Sequence, residues 1–204
     1  KEVVPTYFVN EMTEYRAEKV ARSKGKPAGE RIVPRRFKQR KLPLFLEGPM
    51  HALRVQKSAE EAARLYNAVR SSELYDRKLG MYRVSAPLDA ESPEIGRIRA
   101  FAPGWLENQS IFLHMEYKFL LEVLKKGLAE EFFADIRTCL VPFQDPKVYG
   151  RSTLENSSFI VSSAHPDRRL LGAGFAARLS GTTSEFLDMW RIMNVGREPF
   201  FLDE

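Results

Sequence analysis

The sequence contains one cysteine, Cys139, and so has no partner for an internal disulfide. A small secreted scaffold stapled by bridges is thereby excluded. No apolar run approaches the roughly 18 residues that a membrane-spanning helix needs. Nor does the start combine a basic stretch, an apolar run and a small-residue cleavage site, as a signal peptide would. Histidine is scarce, and His51 and the His165-Pro166-Asp167 stretch lack the spacing of metal ligands. There is no Ser-His-Asp or Cys-His signature, no phosphate-binding P-loop and no dinucleotide fingerprint. These absences lead to the expectation of a soluble, cytoplasmic chain with no metal and no organic cofactor.

What remains suffices for a folded core. The chain has 204 residues, 44% of them hydrophobic, with a formal charge of +5, which is too apolar and too weakly charged for a disordered chain. The charge is uneven. Residues 1–57 hold 14 Lys+Arg against 6 Asp+Glu, whereas residues 58–204 carry a net −3. The densest basic run, Arg31 to Lys41, interleaves Phe37 with cations that could grip phosphates while the ring stacks on a base. The plainer alternative is a solvated face or one packed on an acidic neighbour. With no nucleic-acid motif beside the run, that alternative is preferred.

The apolar spacing places four helices. Ser58 and Glu61 form a capping box, and Ala62, Leu65, Tyr66 and Val69 keep one face apolar to about Ser72. A second helix spans about 110–126, with Gly127 as its terminator. A third spans about 129–140 and stops before Pro142. A fourth begins near Thr183, with Thr182 and Glu185 as its capping box, and ends at Gly196. The segment from Leu42 to Pro49 is cut by prolines and reads as extended. Residues 73–104 and 141–180 read as irregular connections. The expected class is mainly α. Residues 1–57 are read as a basic, largely irregular segment and residues 58–204 as helical hairpins.

Three segments carry chemistry. In the first, Ser180, Gly181, Thr182 and Thr183 precede or open the last helix, with Arg178 beside them. Free N–H groups, hydroxyls and a glycine there suit a phosphate or carboxylate, although Thr182 as a simple N-cap explains much of the pattern. In the second, Trp105 offers a flat face for a sugar ring, Glu107, Asn108 and Gln109 offer directional hydrogen bonds, and His114 follows one turn after Ser110. In the third, Arg151, Glu155 and Asn156 lie among hydroxyls in a long polar loop, which could equally be satisfying its own backbone.

Taken together, these segments resemble the catalytic region of the cellobiose phosphorylase-like enzymes, the inverting β-glucoside phosphorylases of glycoside hydrolase family 94. Glu107-Asn108-Gln109-Ser110-Ile111-Phe112-Leu113-His114 is similar to a Glu-Asn-Gly-x-Ile-Phe-x-His segment of that family. Leu179-Ser180-Gly181-Thr182-Thr183 is similar to its Leu-Thr-Gly-Thr-Ala segment. The likeness is best over residues 100–195. Leu106 stands where the family often has Lys, and Glu185-Phe186 stand where a Trp is common. The resemblance implies part of an (α/α)6 barrel for residues 58–204. It also implies that His114, Ser180 and Gly181 bind inorganic phosphate as co-substrate, and that Glu107 and Glu155 meet sugar hydroxyls. Trp105, Asn108 and Arg151 complete the expected sugar-binding set.

The family's general acid is an Asp in an Asp-Trp-Asn-Asp stretch that does not occur here. The chain is therefore expected to be a fragment of a longer glycoside phosphorylase, with the acid elsewhere in the parent and the isolated chain inactive. Its expected partners are an oligosaccharide, phosphate and the remainder of the parent protein, with a homodimer admitted and no membrane. The rival expectations are a glycoside hydrolase on the same scaffold and a noncatalytic basic module that binds nucleic acid. Salt-sensitive binding of RNA or DNA that disappears when Arg35, Arg36 and Arg40 are neutralised is the result that would favour the last.

Overall fold

A computed structural model of the chain describes residues 3–21, 29–176 and 180–200. It divides into two compact units, Tyr7–Leu42 and the rest. The smaller unit is a two-stranded antiparallel ribbon, β1 (Phe8–Val20) and β2 (Gly29–Lys41), closed at its base by the Leu42 N–H donating to the Tyr7 carbonyl at 3.0 Å. The register slips on either side of Glu14, where the Thr13 hydroxyl donates to the Arg36 carbonyl at 3.3 Å. The basic run is thus a strand, and it faces acids. Glu14 pairs with Arg36 at 3.1 Å, Glu18 with Arg31 at 2.6 Å, and Glu11 with Arg40. Opposite charges across strands stabilise the pairing, which is why a segment expected to be irregular is regular. Residues 22–28, which join the two strands, lie outside the described residues.

The first helix of the larger unit takes in Glu47–Pro49, the end of the Leu42–Pro49 segment expected to be extended. In α1 (Glu47–Val55), Pro49 sits in the first turn, where its missing N–H is not needed. The N-cap residue, Leu46, offers no acceptor. The Thr6 hydroxyl replaces it, accepting from the Gly48 N–H at 2.9 Å and donating to the Phe45 carbonyl at 3.0 Å. Next comes α2 (Ala59–Ser71), where Ser58 accepts from the Glu61 N–H as expected, while the Glu61 carboxylate reaches the Lys57 N–H instead of closing the box. A tight hairpin, β3 (Tyr75–Asp76) and β4 (Met81–Tyr82), turns on Gly80 at φ +67°. The buried Asp76 carboxylate holds this turn through the N–H groups of Lys78, Leu79 and Ser163 and through Arg83.

β5 (Ile111–Phe112) leads directly into α3 (Leu113–Lys125), and α4 (Ala129–Cys139) folds back on it. Between the two helices, Gly127 at φ +77° gives the left-handed terminator that the sequence suggested. The Tyr117 hydroxyl near the start of α3 accepts from the Val141 N–H just past α4, which fixes the antiparallel return. The long connection then holds α5 (Pro146–Tyr149), β6 (Phe159–Ile160) and β7 (Gly174–Phe175) before α6 (Gly181–Val195). β5, β6 and β7 form one antiparallel sheet in that order.

The mainly α expectation, and with it the (α/α)6 barrel, is overturned. Of the described residues 41% are helical, with six α-helices, and 21% are strand, in three small antiparallel sheets, a mixed α/β class. Most of the missed strands are two residues long, too short to show a period of two. The long polar ribbon hides its period beneath charge. No helix among the described residues is long and apolar enough to cross a membrane.

The core is organised around α3, whose Leu113, Tyr117, Phe119, Leu120 and Val123 are fully buried. Carboxyls are buried with it, among them Asp135 and Glu116. Asp135 of α4 accepts from the Tyr82 hydroxyl at 2.6 Å, the Tyr66 hydroxyl at 3.0 Å and Arg70 at 2.5 Å, tying α2, β4 and α4 together. Burial pushes the Tyr66 phenol up to about 12. Glu116 of α3 accepts the Tyr82 N–H at 2.8 Å with one oxygen and leaves the other without a hydrogen bond. Burial raises its pKa well above the ordinary carboxyl range, so the folded state keeps a proton that the unfolded chain loses. Above about pH 4.5 the unfolded state therefore gains on the folded one, and this group costs stability as pH rises toward its folded pKa. Glu116→Gln removes that cost. Its melting temperature relative to the parent is expected to rise from pH 4 to pH 8, and a pH-independent difference would contradict the assignment.

Candidate functional site

α3 and α6 pack side by side in the same direction. At one end, His114 in the first turn of α3 lies against Gly181, the first residue of α6. At the other, Lys125 pairs with Asp188 at 3.0 Å and Arg197 donates to the Lys125 carbonyl at 3.1 Å. Two helix N-termini thus converge. Neither N-cap residue, Phe112 or Ser180, provides a side-chain cap. Apart from the Leu113 N–H, which the Ser158 carbonyl accepts, the first-turn N–H groups have no N-cap side chain, and the partial positive charge of both helix starts lies close together, an environment that favours an anion. The expected Thr182–Glu185 capping box is absent, because Glu185 turns to His114 at 3.6 Å.

The contact at Gly181 is close. A Cβ there would lie 2.4, 2.5 and 2.6 Å from the Cε1, Nδ1 and Nε2 atoms of His114, so only glycine lets the ring rest on the helix backbone. Of the residues nominated for phosphate, His114 and Gly181 are therefore in contact, and Ser180 is exposed immediately before them. Arg178 and Leu179 lie outside the described residues. Burial lowers the His114 pKa, and the charge of Lys118, one turn on, lowers it further against the pull of Glu185. The imidazole is neutral near pH 7, able to donate from one nitrogen and accept at the other. Asn156 reaches the same place from the long loop. It accepts from the Tyr117 hydroxyl at 3.2 Å and donates to the Thr183 hydroxyl at 3.5 Å. Two buried hydroxyls, Ser158 and Thr182, make no hydrogen bond among the described residues. Ser158 passes its carbonyl to the Leu113 N–H at the start of α3, and Thr182 sits in the first turn of α6.

The sugar candidates meet a mixed fate. Trp105 stacks flat on Phe175 at 3.8 Å, with an interplanar angle of 2°, so one face is already occupied. That stack continues across the three-stranded sheet. Phe175 of β7 leads to Phe159 of β6, then to Phe112 of β5, and Phe112 meets His114 edge-on at 6.1 Å. The expected sugar platform and the expected phosphate histidine are the two ends of one aromatic ladder. Asn108 is buried and spent on the loop, donating to the Phe101 carbonyl at 2.7 Å and accepting from Gln109. Glu107 stands at the surface, paired with Arg97 at 3.0 Å. Arg151 and Glu155 pair with each other at 3.7 Å in an exposed loop, and neither joins the ladder.

The loop itself is tightly wound. Leu106 and Gln109 have φ of +48° and +60°, a left-handed region that costs a side chain energy and glycine almost none. Gln109 occupies the position at which the similar family segment has glycine. Its backbone is held by its N–H donating to the Ser85 hydroxyl at 3.1 Å.

The sequence analysis names Asn156 only as part of a polar loop and does not include Lys118, Phe112 or Phe175 in the site. Lys118 was accessible from its four-residue spacing to His114. The ladder was not, because its rings come from three strands far apart in sequence. No group of three or more His, Cys, Asp or Glu among the described residues is placed to hold a metal. No protein-family model matches the chain, and no curated protein matches it.

Gly181→Ala forces the His114 ring off the helix. We expect it to lower stability by about 1–3 kcal/mol in chemical denaturation and to move the His114 ring resonances, whereas unchanged resonances would mean that the contact does not exist in solution. Lys118→Gln removes a neighbouring positive charge and is expected to raise the His114 titration midpoint, read from the same resonances. A midpoint that stays put or falls would refute this electrostatic account.

Proposed function

We propose that this chain binds inorganic phosphate at the joined N-termini of α3 and α6 and a sugar ring beside it. The reaction served is phosphorolysis of β-linked gluco-oligosaccharides to a sugar 1-phosphate with inversion, as in the cellobiose phosphorylase-like enzymes. The observation that carries this reading is the seating of the His114 ring on Gly181. Residues nominated from two segments more than sixty positions apart meet at an electropositive helix end.

The chemistry fits the groups present. Phosphate attacks the anomeric carbon on the face opposite the glycosidic bond, which breaks as the new C–O bond forms. A separate acid delivers a proton to the departing oxygen, in the manner of an inverting glycosidase with phosphate in place of water. Phosphate is nucleophilic without a base, so it needs holding and aiming. Helix N–H groups, the Ser180 hydroxyl and a neutral His114 that can donate to a phosphate oxygen do this, with Lys118 adding positive charge nearby. The half-exposed rings of Trp105, Phe112 and Phe175 provide an apolar flank for a pyranose. The proton donor to the leaving oxygen is assigned to no residue of this chain.

Phosphate titrated into the chain and followed by phosphorus NMR or calorimetry should bind. Binding should weaken by about tenfold or more in His114→Ala, equivalent to losing one good charge-assisted contact. Binding that is unaffected in both His114→Ala and Ser180→Ala would overturn the assignment. With cello-oligosaccharide and phosphate supplied to an active preparation, release of free sugar without sugar 1-phosphate would replace phosphorolysis by hydrolysis.

A further inference from the structure

At the opposite end of α3 lies a second concentration of positive charge, unrelated to the site above. A cavity of about 590 Å³ is lined by Arg54, Lys57, Lys125, Lys126 and Arg197, with Glu122 as its sole acid. Its lining is polar apart from Ala59, so it does not suit an apolar guest. The volume falls within the ~300–1,000 Å³ typical of small-molecule sites.

The cations are held in place more than they are neutralised. Glu122 is buried and engages Arg54 at 2.9 Å, and Asp188 engages Lys125 at 3.0 Å. The other three have no carboxylate partner among the described residues. Lys126 donates to the Gln56 carbonyl at 2.6 Å, and Arg197 donates to the Lys125 carbonyl at 3.1 Å. A carbonyl fixes a cation's position and leaves its full charge unspent. Lys57 lies just before α2, and its N–H donates to the Glu61 carboxylate while its side chain lines the cavity. Lys57, Lys126 and Arg197 therefore bring positive charge from three segments to one concave surface.

We propose that this cavity is a second anion site, for a small ligand carrying two or more phosphate-type groups. After Glu122 and Asp188 the five cations retain a net +3, more than one phosphate group of about −2 would match, and a concave pocket favours a compact ligand over an extended polymer. Along α3, eleven residues separate Lys125 from His114, about 17 Å at the helical rise. A ligand here therefore does not occupy the first site, and the inference does not rest on the phosphorolysis reading.

The test is calorimetric titration with inorganic pyrophosphate, alongside sulfate and a single-stranded oligonucleotide. Pyrophosphate should bind more tightly than sulfate. Its affinity should fall by roughly tenfold or more in Lys57→Glu, stay within about twofold in His114→Ala, and weaken with added salt. Lys57 makes no side-chain bond among the described residues, so this variant should keep the parent's circular dichroism and melting temperature; Lys57→Gln, which removes charge without adding any, should give an intermediate loss. No pyrophosphate binding would overturn the proposal. So would binding that survives Lys57→Glu but is lost in His114→Ala, or binding confined to the oligonucleotide. If Lys126→Ala lowers stability while pyrophosphate affinity is unchanged, the cations serve only to cap helix C-termini, and the proposal also fails.

Discussion

The larger unit depends on one constraint: α3 is apolar around most of its circumference and must be enclosed. Leu113, Tyr117, Phe119, Leu120, Leu121 and Val123 cannot all face one neighbour, so α1, α4 and α6 each cover a sector. A helix that is apolar over most of its surface has to be covered on most sides. Enclosure settles where its ends go. The first turn is directed to the start of α6, and the last turn, with Lys125 and Lys126, is directed to the junction of α1 and α2. The chemistry at both ends follows from packing in the middle.

Carboxyls inside this packing are treated in different ways. Asp76 has four hydrogen-bonding partners, which keep its pKa below the ordinary value in spite of burial. Asp135 is raised by burial even though two phenols and Arg70 donate to it. Glu116 has a single backbone donor and is driven to its neutral form. The gradation tracks how many donors each receives. A carboxylate deep in a core remains charged only where hydrogen bonds replace the lost water.

Much of the helical content could be read directly. α2, α4 and α6 lie close to where apolar spacing puts them, and Gly127 and Gly196 end helices in left-handed conformations. These features are local, set by residues within one turn of each other. α1 was hidden because its cap is Thr6, forty-two residues from the N–H it serves. The strand content was hidden because pairing in β5, β6 and β7 comes from tertiary register. In the site, a glycine beside hydroxyls at a helix start marked Gly181, but only the family resemblance, and no local spacing, links it to His114. The aromatic ladder likewise exists only once the sheet is assembled. Glu185 shows how a local rule can lose. It has the right spacing from Thr182 for a capping box, yet a histidine from another helix engages it.

The lone cysteine has a use beyond its place in the core. Cys139 is fully buried at the end of α4, its thiol raised well above the usual range by burial and directed to the Gly80 carbonyl at 3.4 Å. No thiol reagent can reach it while α4 remains docked on the β3–β4 hairpin. Its labelling rate is therefore a clock for that opening, one sulfur atom reporting how often the centre of the molecule comes apart. Because the chain has no second cysteine, the reading comes from a single site.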